Sequence, residues 1–361
     1  MPINVTKTFL PPFEEYTRQL KRAWDKGWIT NNGELVRELE QKLRDYLGVK
    51  NLLFCSNGTI ALQMAIKALD ITGEIITTPF SYVATAGAIL WEGCTPVFVD
   101  IDKKTFCIDA DKIAASITSN TQAIIATHVY GLPCDTGKIQ AIADKYHLKV
   151  IYDGAHAFGC TYKGRSLLSY GEVSICSFHA TKIFHTAEGG CIICHTDELY
   201  EKLFLLRSFG HRGDDYYCTG INAKNSELHA AMGLSVLPHM ESLIKRHKEI
   251  FQWYRDRFKQ YPSALLPFND EELSYNYGYF PFLFESEKIL LAAKNSLEDN
   301  WIFPRRYFYP SLNTLPYLSK TSDCPASEDI SKRVLCLPMQ ADLSVKDVDR
   351  ISSLVLKVIS E

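Results

Sequence analysis

From Asn32 to Gly48 the apolar residues Val36, Leu39, Leu43 and Tyr46 recur at intervals of three and four. That spacing predicts an amphipathic helix, with Gly48 as its C-terminal cap. The pattern then changes to short, nearly continuous apolar runs: Leu52–Cys55, Glu74–Thr78, Pro96–Val99, Ala123–Thr127, Lys149–Tyr152, Val173–Ser177 and Cys191–Cys194. A strand with one wet face alternates apolar and polar residues, whereas a continuous run marks a strand covered on both faces. Helical patterns such as Ile60–Leu69 and Ile139–Tyr146 lie between most of the runs. The alternation predicts an α/β fold around a sheet of about seven mainly parallel strands.

The pattern shifts again near residue 235. A charged helix is expected from Glu241 to Tyr261, then aromatic-rich extended segments at Tyr275–Phe284 and Phe303–Tyr309, then a terminal helix from Lys346 to Ser360. This reads as a large domain over residues 1–235 and a smaller α+β domain over residues 236–361. A length of 361 residues fits two domains.

A net charge of -3 argues against a general nucleic-acid or membrane-surface binder, but leaves room for a local anion site. The opening residues lack a basic stretch followed by an apolar one, so no export signal is expected. The uncharged run Ile75–Trp91 is too short and too polar to span a membrane. The 11 cysteines are odd in number and lie mostly in apolar segments, as suits reduced thiols in a cytoplasmic protein. Cys191 and Cys194 form a C-x-x-C pair, but it sits in a predicted strand without a second pair. No metal site is expected.

Three features fall at the carboxyl ends of predicted strands, where open α/β sheets bind their ligands. Ser56–Thr59 is a small-residue turn opening a helix, either a phosphate cradle or an ordinary N-cap. Asp153 ends an apolar strand, where an acid either serves chemistry or caps the next helix, and His156 follows it closely. Lys182 lies just past the run Val173–Ser177, where low dielectric favours a neutral amine able to form a Schiff base. A phosphate cradle, a carboxylate for a ring nitrogen and an imine-forming lysine together are what pyridoxal 5'-phosphate requires. Phe80 is the candidate to stack on that ring, with Tyr82 as its rival. Glu188 reads as structural.

The ordered segments Asn57–Thr59, Pro79–Thr85, Thr127–Gly131, Asp153–His156, Ser177–Lys182, Gly220–Asn222 and Arg305–Pro310 resemble the DegT/DnrJ/EryC1/StrS family of sugar aminotransferases. The resemblance runs from Gly27 through the C-terminal region. It implies a fold-type-I, pyridoxal-phosphate-dependent aminotransferase working as a homodimer with shared active sites. By the same resemblance Lys182 is the Schiff-base lysine, Asp153 pairs with the ring nitrogen, His156 sits beside the ring and Phe80 stacks on it. Gly58, Thr59 and Ser177 bind the phosphate, and Asn222 reaches the phosphate in the partner subunit. Two departures stand out: Gly154 where alanine is usual, and Lys224 where the family has another basic residue.

The stretches Phe178–Gly190 and Arg305–Pro310 resemble the branch of the family that makes dTDP-4-amino-4,6-dideoxy-D-glucose. That implies transamination at C4 of a nucleotide-linked 4-keto-6-deoxy sugar, with L-glutamate as donor, for surface polysaccharide such as the O-antigen of lipopolysaccharide. Arg305 and Arg306 are candidates for the nucleotide diphosphate, and Tyr307, Tyr309 and His185 for the sugar; packing and ion-pair roles are the alternatives for each. Two other functions stay open: amination at C3 of a 3-keto sugar, and cofactor binding without turnover by a regulatory protein. Deoxygenating relatives carry histidine in place of the lysine, and Lys182 argues against that chemistry.

Overall fold

The computed structural model describes residues 2–266, 271–318 and 322–360. Each of the seven apolar runs forms a strand of one sheet: β1 Asn51–Cys55, β2 Glu74–Thr77, β3 Thr95–Phe98, β4 Thr121–Thr127, β5 Lys149–Asp153, β6 Val173–Ser177 and β7 Gly190–Cys194. Their spatial order is β1-β7-β6-β5-β4-β2-β3. β7 is antiparallel to both neighbours, while β2–β3, β2–β4, β4–β5 and β5–β6 pair in parallel. Both faces are covered, which explains the unbroken hydrophobicity. In β1, Leu52 and Phe54 enter one buried cluster with Leu35, Leu39 and Leu43 of the helix Glu34–Leu47. Leu53 and Cys55 enter the other, against Leu62, Ala65 and Ile66 of the helix Gly58–Ala68. Gly48 caps the first of these helices with φ 63°, a left-handed conformation that glycine adopts without penalty.

The cysteine pair is explained by the same alternation. Cys191 faces the first cluster and Cys194 the second, so their thiols lie on opposite sides of the sheet. Ten of the eleven free cysteines are buried and only Cys218 is exposed. Among the described residues, no helix is long and apolar enough to cross a membrane.

Beyond the helix Glu227–Val236 the chain forms the charged helix Met240–Arg257 and an antiparallel pair, Phe280–Leu283 with Val334–Leu337. The helices Glu287–Glu298 and Val345–Ser360 follow the two strands. The aromatic-rich segments are less extended than their composition predicts. In Tyr275–Phe284 the strand is confined to Phe280–Leu283, because Asn276 Oδ1 accepts from Gly278 N at 3.0 Å and Tyr277 takes φ 55°, making a turn. In Phe303–Tyr309 only Phe303 is in a strand, Ile302–Phe303, which pairs in parallel with Ile3–Asn4 at the chain's start. Arg305 then exchanges backbone hydrogen bonds with Cys336, at 3.2 and 2.8 Å. The first residues of the chain therefore pack on its C-terminal part.

Candidate active site

A cavity of about 530 Å³ opens where β1, β2, β4, β5 and β6 end. At one side lies the N-terminus of the helix Gly58–Ala68. Asn57 caps it, its Oδ1 accepting from Ile60 N at 2.9 Å, and the first backbone N–H groups have no partner inside the helix. Those groups and the helix dipole make this end an anion site. A Cβ added to Gly58 would stand 3.1 Å from Ser177 Cβ, so glycine keeps the gap between the helix and Ser177 open. Gly190 is fixed by tighter contact: a Cβ there would meet Asn57 C at 2.6 Å. A buried ion pair steadies β1, which leads into this turn. Arg207 donates to Glu40 at 2.6 Å and to Phe54 O at 2.8 Å, while Phe54 N donates to the same Glu40 oxygen at 2.9 Å.

Asp153 closes β5, opposite Thr127 of β4. Asp153 is 5% exposed, and its carboxylate accepts from Thr85 Oγ1 at 2.8 Å and Ala155 N at 3.1 Å. Thr85 continues through Ser81 to Thr127 in a chain of buried hydroxyls, at 2.7 and 3.0 Å. Among the described residues Asp153 makes no salt bridge, and Lys182 acts on it only through its charge. Burial pushes its carboxyl above the ordinary range, and the bonds from Thr85 and Ala155 and the Lys182 charge oppose that rise.

Lys182 is presented by the loop after β6. Phe178 and Thr186 close the loop, Phe178 N donating to Gly189 O at 2.8 Å and Thr186 N to Phe178 O at 2.9 Å. Phe178 and Phe184 anchor it in the core against Phe158. Burial lowers the Lys182 amine from its usual range, with nearby Tyr307 and Asp153 opposing. Its Nζ bonds to the Tyr279 hydroxyl at 3.1 Å. His156 also lines the cavity. Its Nδ1 accepts from Tyr130 N at 3.0 Å, and burial pushes its pKa well below the ordinary value, so the ring is neutral with its proton on Nε2. Tyr307, Phe308 and the exposed Arg305 form the C-terminal wall. Burial raises the Tyr307 hydroxyl to about 12, so it stays protonated.

Among the predicted site residues, Gly58, Thr59, Asp153, His156, Ser177, Lys182, Arg305 and Tyr307 thus meet around one cavity. Four expectations need correction. Phe80 does not face the cavity: it is fully buried, edge-on to Phe106, Tyr130 and Phe308, and Tyr82 lines the cavity instead. His185 is buried elsewhere, its Nε2 on Phe9 O at 2.6 Å and its Nδ1 accepting from Ala187 N at 3.2 Å. Arg306 points away and pairs with Glu287 at 2.7 Å. Tyr309 lies under the Arg306 guanidinium, 3.4 Å from ring centroid to Cζ, and is absent from the cavity wall. Asn222 is exposed and outside this cavity, its Oδ1 accepting from Lys224 Nζ at 2.8 Å. Thr85, Ser81, Thr127 and Tyr279 were not singled out from the sequence. The first two stand four residues apart on a turn that opens a helix, a spacing that puts two hydroxyls side by side.

The family model for DegT/DnrJ/EryC1/StrS aminotransferases matches residues 13–356. The chain belongs to the DegT/DnrJ/EryC1/StrS aminotransferase family. It is 43% identical over 363 residues to the dTDP-4-amino-4,6-dideoxy-D-glucose transaminase of Shigella dysenteriae, covering 99% of each chain. Among solved structures it is similar to DesI in the presence of its TDP-sugar product, with TM-score 0.94, 32% identity, and coverage of 99% of this chain and 93% of that one. It is also similar to the PLP form of Spr1654 from Streptococcus pneumoniae, with TM-score 0.91, 25% identity, and coverage of 100% and 98%. In this DegT/DnrJ/EryC1/StrS aminotransferase the anion-binding turn, the buried acid and the lysine come from three different strand ends. The sheet register, Asp153 beside Ile175 and Gly190 beside Ser177 and Cys55, holds them together.

Proposed function

We propose that this chain is a pyridoxal-phosphate-dependent aminotransferase acting on dTDP-4-keto-6-deoxy-D-glucose, with L-glutamate as amino donor, in surface polysaccharide synthesis in the cytoplasm. The observation that carries the cofactor reading is Asp153, a buried carboxylate lining the cavity with no salt bridge among the described residues and only the more distant charge of Lys182 acting on it. Such a group needs a positive partner, and a protonated ring nitrogen supplies one. The Gly58 cradle at the helix N-terminus fits a phosphate, and Lys182 fits an aldehyde. The sugar assignment rests on the 43% identity to the Shigella transaminase and the likeness to DesI.

When bound, pyridoxal phosphate supplies an electron-accepting ring and an aldehyde, through which an amino group passes between carbon skeletons. Gly58 and Thr59 N–H groups and the Ser177 hydroxyl would hold its phosphate, and Asp153 would keep a proton on its ring nitrogen. Tyr82 and His156 offer flat faces on the cavity wall. Lys182, biased by burial toward the neutral amine, takes the proton from the donor's α-carbon and delivers a proton to the sugar carbon in the second half-reaction. Arg305 lines the cavity with no ion-pair partner among the described residues, a fork suited to a diphosphate oxygen.

The reading includes a homodimer with shared sites, in which Asn222, exposed at the surface, would reach the second subunit. It includes a division into residues 1–235, carrying the cofactor, and 236–361, closing the site with Arg305 and Tyr307. The purified protein is expected to be yellow, with a visible band lost in Lys182→Ala. Incubation with L-glutamate and the keto-sugar is expected to place nitrogen at C4 by NMR. Nitrogen at C3 would overturn the sugar assignment. A band with no response to glutamate would overturn the enzyme reading in favour of binding alone.

A further inference from the structure

Lys182 stands in the wall between two cavities. The one described above holds Asp153 and the phosphate cradle. A second, of about 210 Å³, is lined by residues that include Thr8, His247, Asn276, Tyr279 and Met339, and the two share Ala155, His156, Thr181 and Lys182. Tyr279 faces only the second, and its hydroxyl bonds the Lys182 amine at 3.1 Å. We propose that the Tyr279 hydroxyl is a positioning group: it receives the Lys182 amine whenever that amine is not bonded to the cofactor, and holds it at the wall between the cavities. The proposal rests on the assignment of Lys182 as the amine that forms and leaves the cofactor bond.

The physical need is simple. An amine displaced by a donor amino acid is left in the half-buried wall between the two cavities, where a polar group without a partner is costly. It must also stay close to the carbon whose proton it moves, since a misplacement of about 1 Å can cost roughly a hundredfold in rate. Tyr279 meets both needs because it is held rigidly. Its ring packs on His156 at 4.3 Å, Tyr130 at 5.7 Å and Tyr307 at 5.9 Å between centroids. Immediately after it the chain enters the strand Phe280–Leu283. Just before it, Asn276 Nδ2 donates to His156 O at 2.9 Å and Phe158 O at 2.8 Å. The segment carrying Tyr279 is thereby tied to the loop that follows Asp153, so hydroxyl, lysine and acid keep their spacing. Burial raises the Tyr279 hydroxyl, which stays a neutral phenol able to accept from the amine and to donate to its lone pair.

The test is Tyr279→Phe, which keeps the ring and removes only the hydroxyl. Tyr254→Phe is the control. It removes a buried hydroxyl that bonds Pro338 O at 3.0 Å, from a ring stacked on Phe280 next to Tyr279. The first readout uses protein stripped of cofactor: the pH midpoint for acetylation of Lys182, followed by peptide mass spectrometry. The other titratable groups facing Lys182 are Asp153, Cys176, His156, Tyr82 and Tyr307, and both variants leave all of them in place. Losing the acceptor of a buried ammonium should lower the midpoint by about one unit in Tyr279→Phe. Tyr254→Phe should leave it unmoved. In the reconstituted enzyme, kcat for Tyr279→Phe should fall on the order of ten- to a hundredfold. Cofactor affinity should stay within about twofold, since the hydroxyl touches the lysine and not the phosphate cradle. An unmoved midpoint, an equal shift in both variants, or an unchanged kcat overturns the proposal. Failure of the cofactor reading shows itself separately, as a wild-type protein with no visible band.

Discussion

Replacing Asp153 with Asn should make the cofactor-free protein more stable while removing its activity. The carboxylate holds two hydrogen bonds, from Thr85 Oγ1 at 2.8 Å and Ala155 N at 3.1 Å. In the variant the Asn carbonyl can keep Ala155, and its NH₂ can donate to Thr85. That is possible because the Thr85–Ser81–Thr127 hydroxyls can reverse the direction of every bond in their chain. No buried polar group loses its partner, so the balance turns on charge. An ion taken out of water carries an effective penalty of several kcal/mol. Downgrading two charge-assisted bonds to neutral ones returns about 2 kcal/mol of that. Losing the charge attraction of Lys182 returns a further part, so the net gain for Asn should be about 1 kcal/mol at neutral pH.

The pH dependence has a definite sign. Burial raises the folded carboxyl above its ordinary 3.8, so the folded protein binds this proton more tightly than the unfolded chain. The stability that comes with the proton is fully present below pH 3.8 and is lost as pH rises through the folded value. Asn suffers no such loss. The advantage of Asp153→Asn should therefore be small near pH 4, grow above it and level off by neutrality. Urea denaturation of both proteins without cofactor, at pH 4, 5.5 and 7.5, measures it directly. Transamination should fall roughly a hundredfold or more, because nothing then keeps the ring nitrogen protonated. A variant less stable than wild type at pH 7.5, or a gap equal at all three pH values, would refute the account of Asp153 as a carboxylate held against its own desolvation.

Phe80→Ala should lower unfolding free energy by about 3–5 kcal/mol, as for a large core aromatic. Tyr82→Ala should leave stability within about 1 kcal/mol and weaken cofactor binding about tenfold, read by fluorescence titration. Arg305→Ala should raise KM for the nucleotide sugar about tenfold with kcat retained, whereas Arg306→Ala should cost about 1 kcal/mol of stability and leave that KM unchanged. Gly58→Ala should lower cofactor affinity, because the new Cβ would stand 3.1 Å from Ser177 Cβ where the phosphate must enter; unchanged affinity would move the phosphate site elsewhere.

The strands were legible because burial on both faces writes an unbroken apolar run. Asp153, Lys182 and the Asn57–Thr59 turn stood out because polar or small residues followed such runs within five positions. What stayed hidden was which of two neighbouring residues faces the cavity. Phe80 and Tyr82 share one turn and one chemistry. Phe80 is drawn inward by Phe106, Tyr130 and Phe308, which come from three distant segments. No local pattern carries that information, since it belongs to tertiary packing alone.

Arg305 and Arg306 show the same ambiguity with a clearer cause. Arg305 is bridged to Cys336 in extended backbone, so its side chain and that of Arg306 point to opposite sides. Once Arg305 faces the cavity, Arg306 must turn toward Glu287, and Tyr309 stacks beneath it. Sequence alone gives the alternation but not its phase. The bridge to Cys336 sets that phase, and the partner strand Phe280–Leu283 leads back to Tyr279. One small antiparallel pair in the C-terminal part therefore aims both Arg305 and the hydroxyl that meets Lys182. A disturbance of this pair, such as Cys336→Pro, should impair nucleotide-sugar affinity and lysine positioning together, although Cys336 itself lines neither cavity.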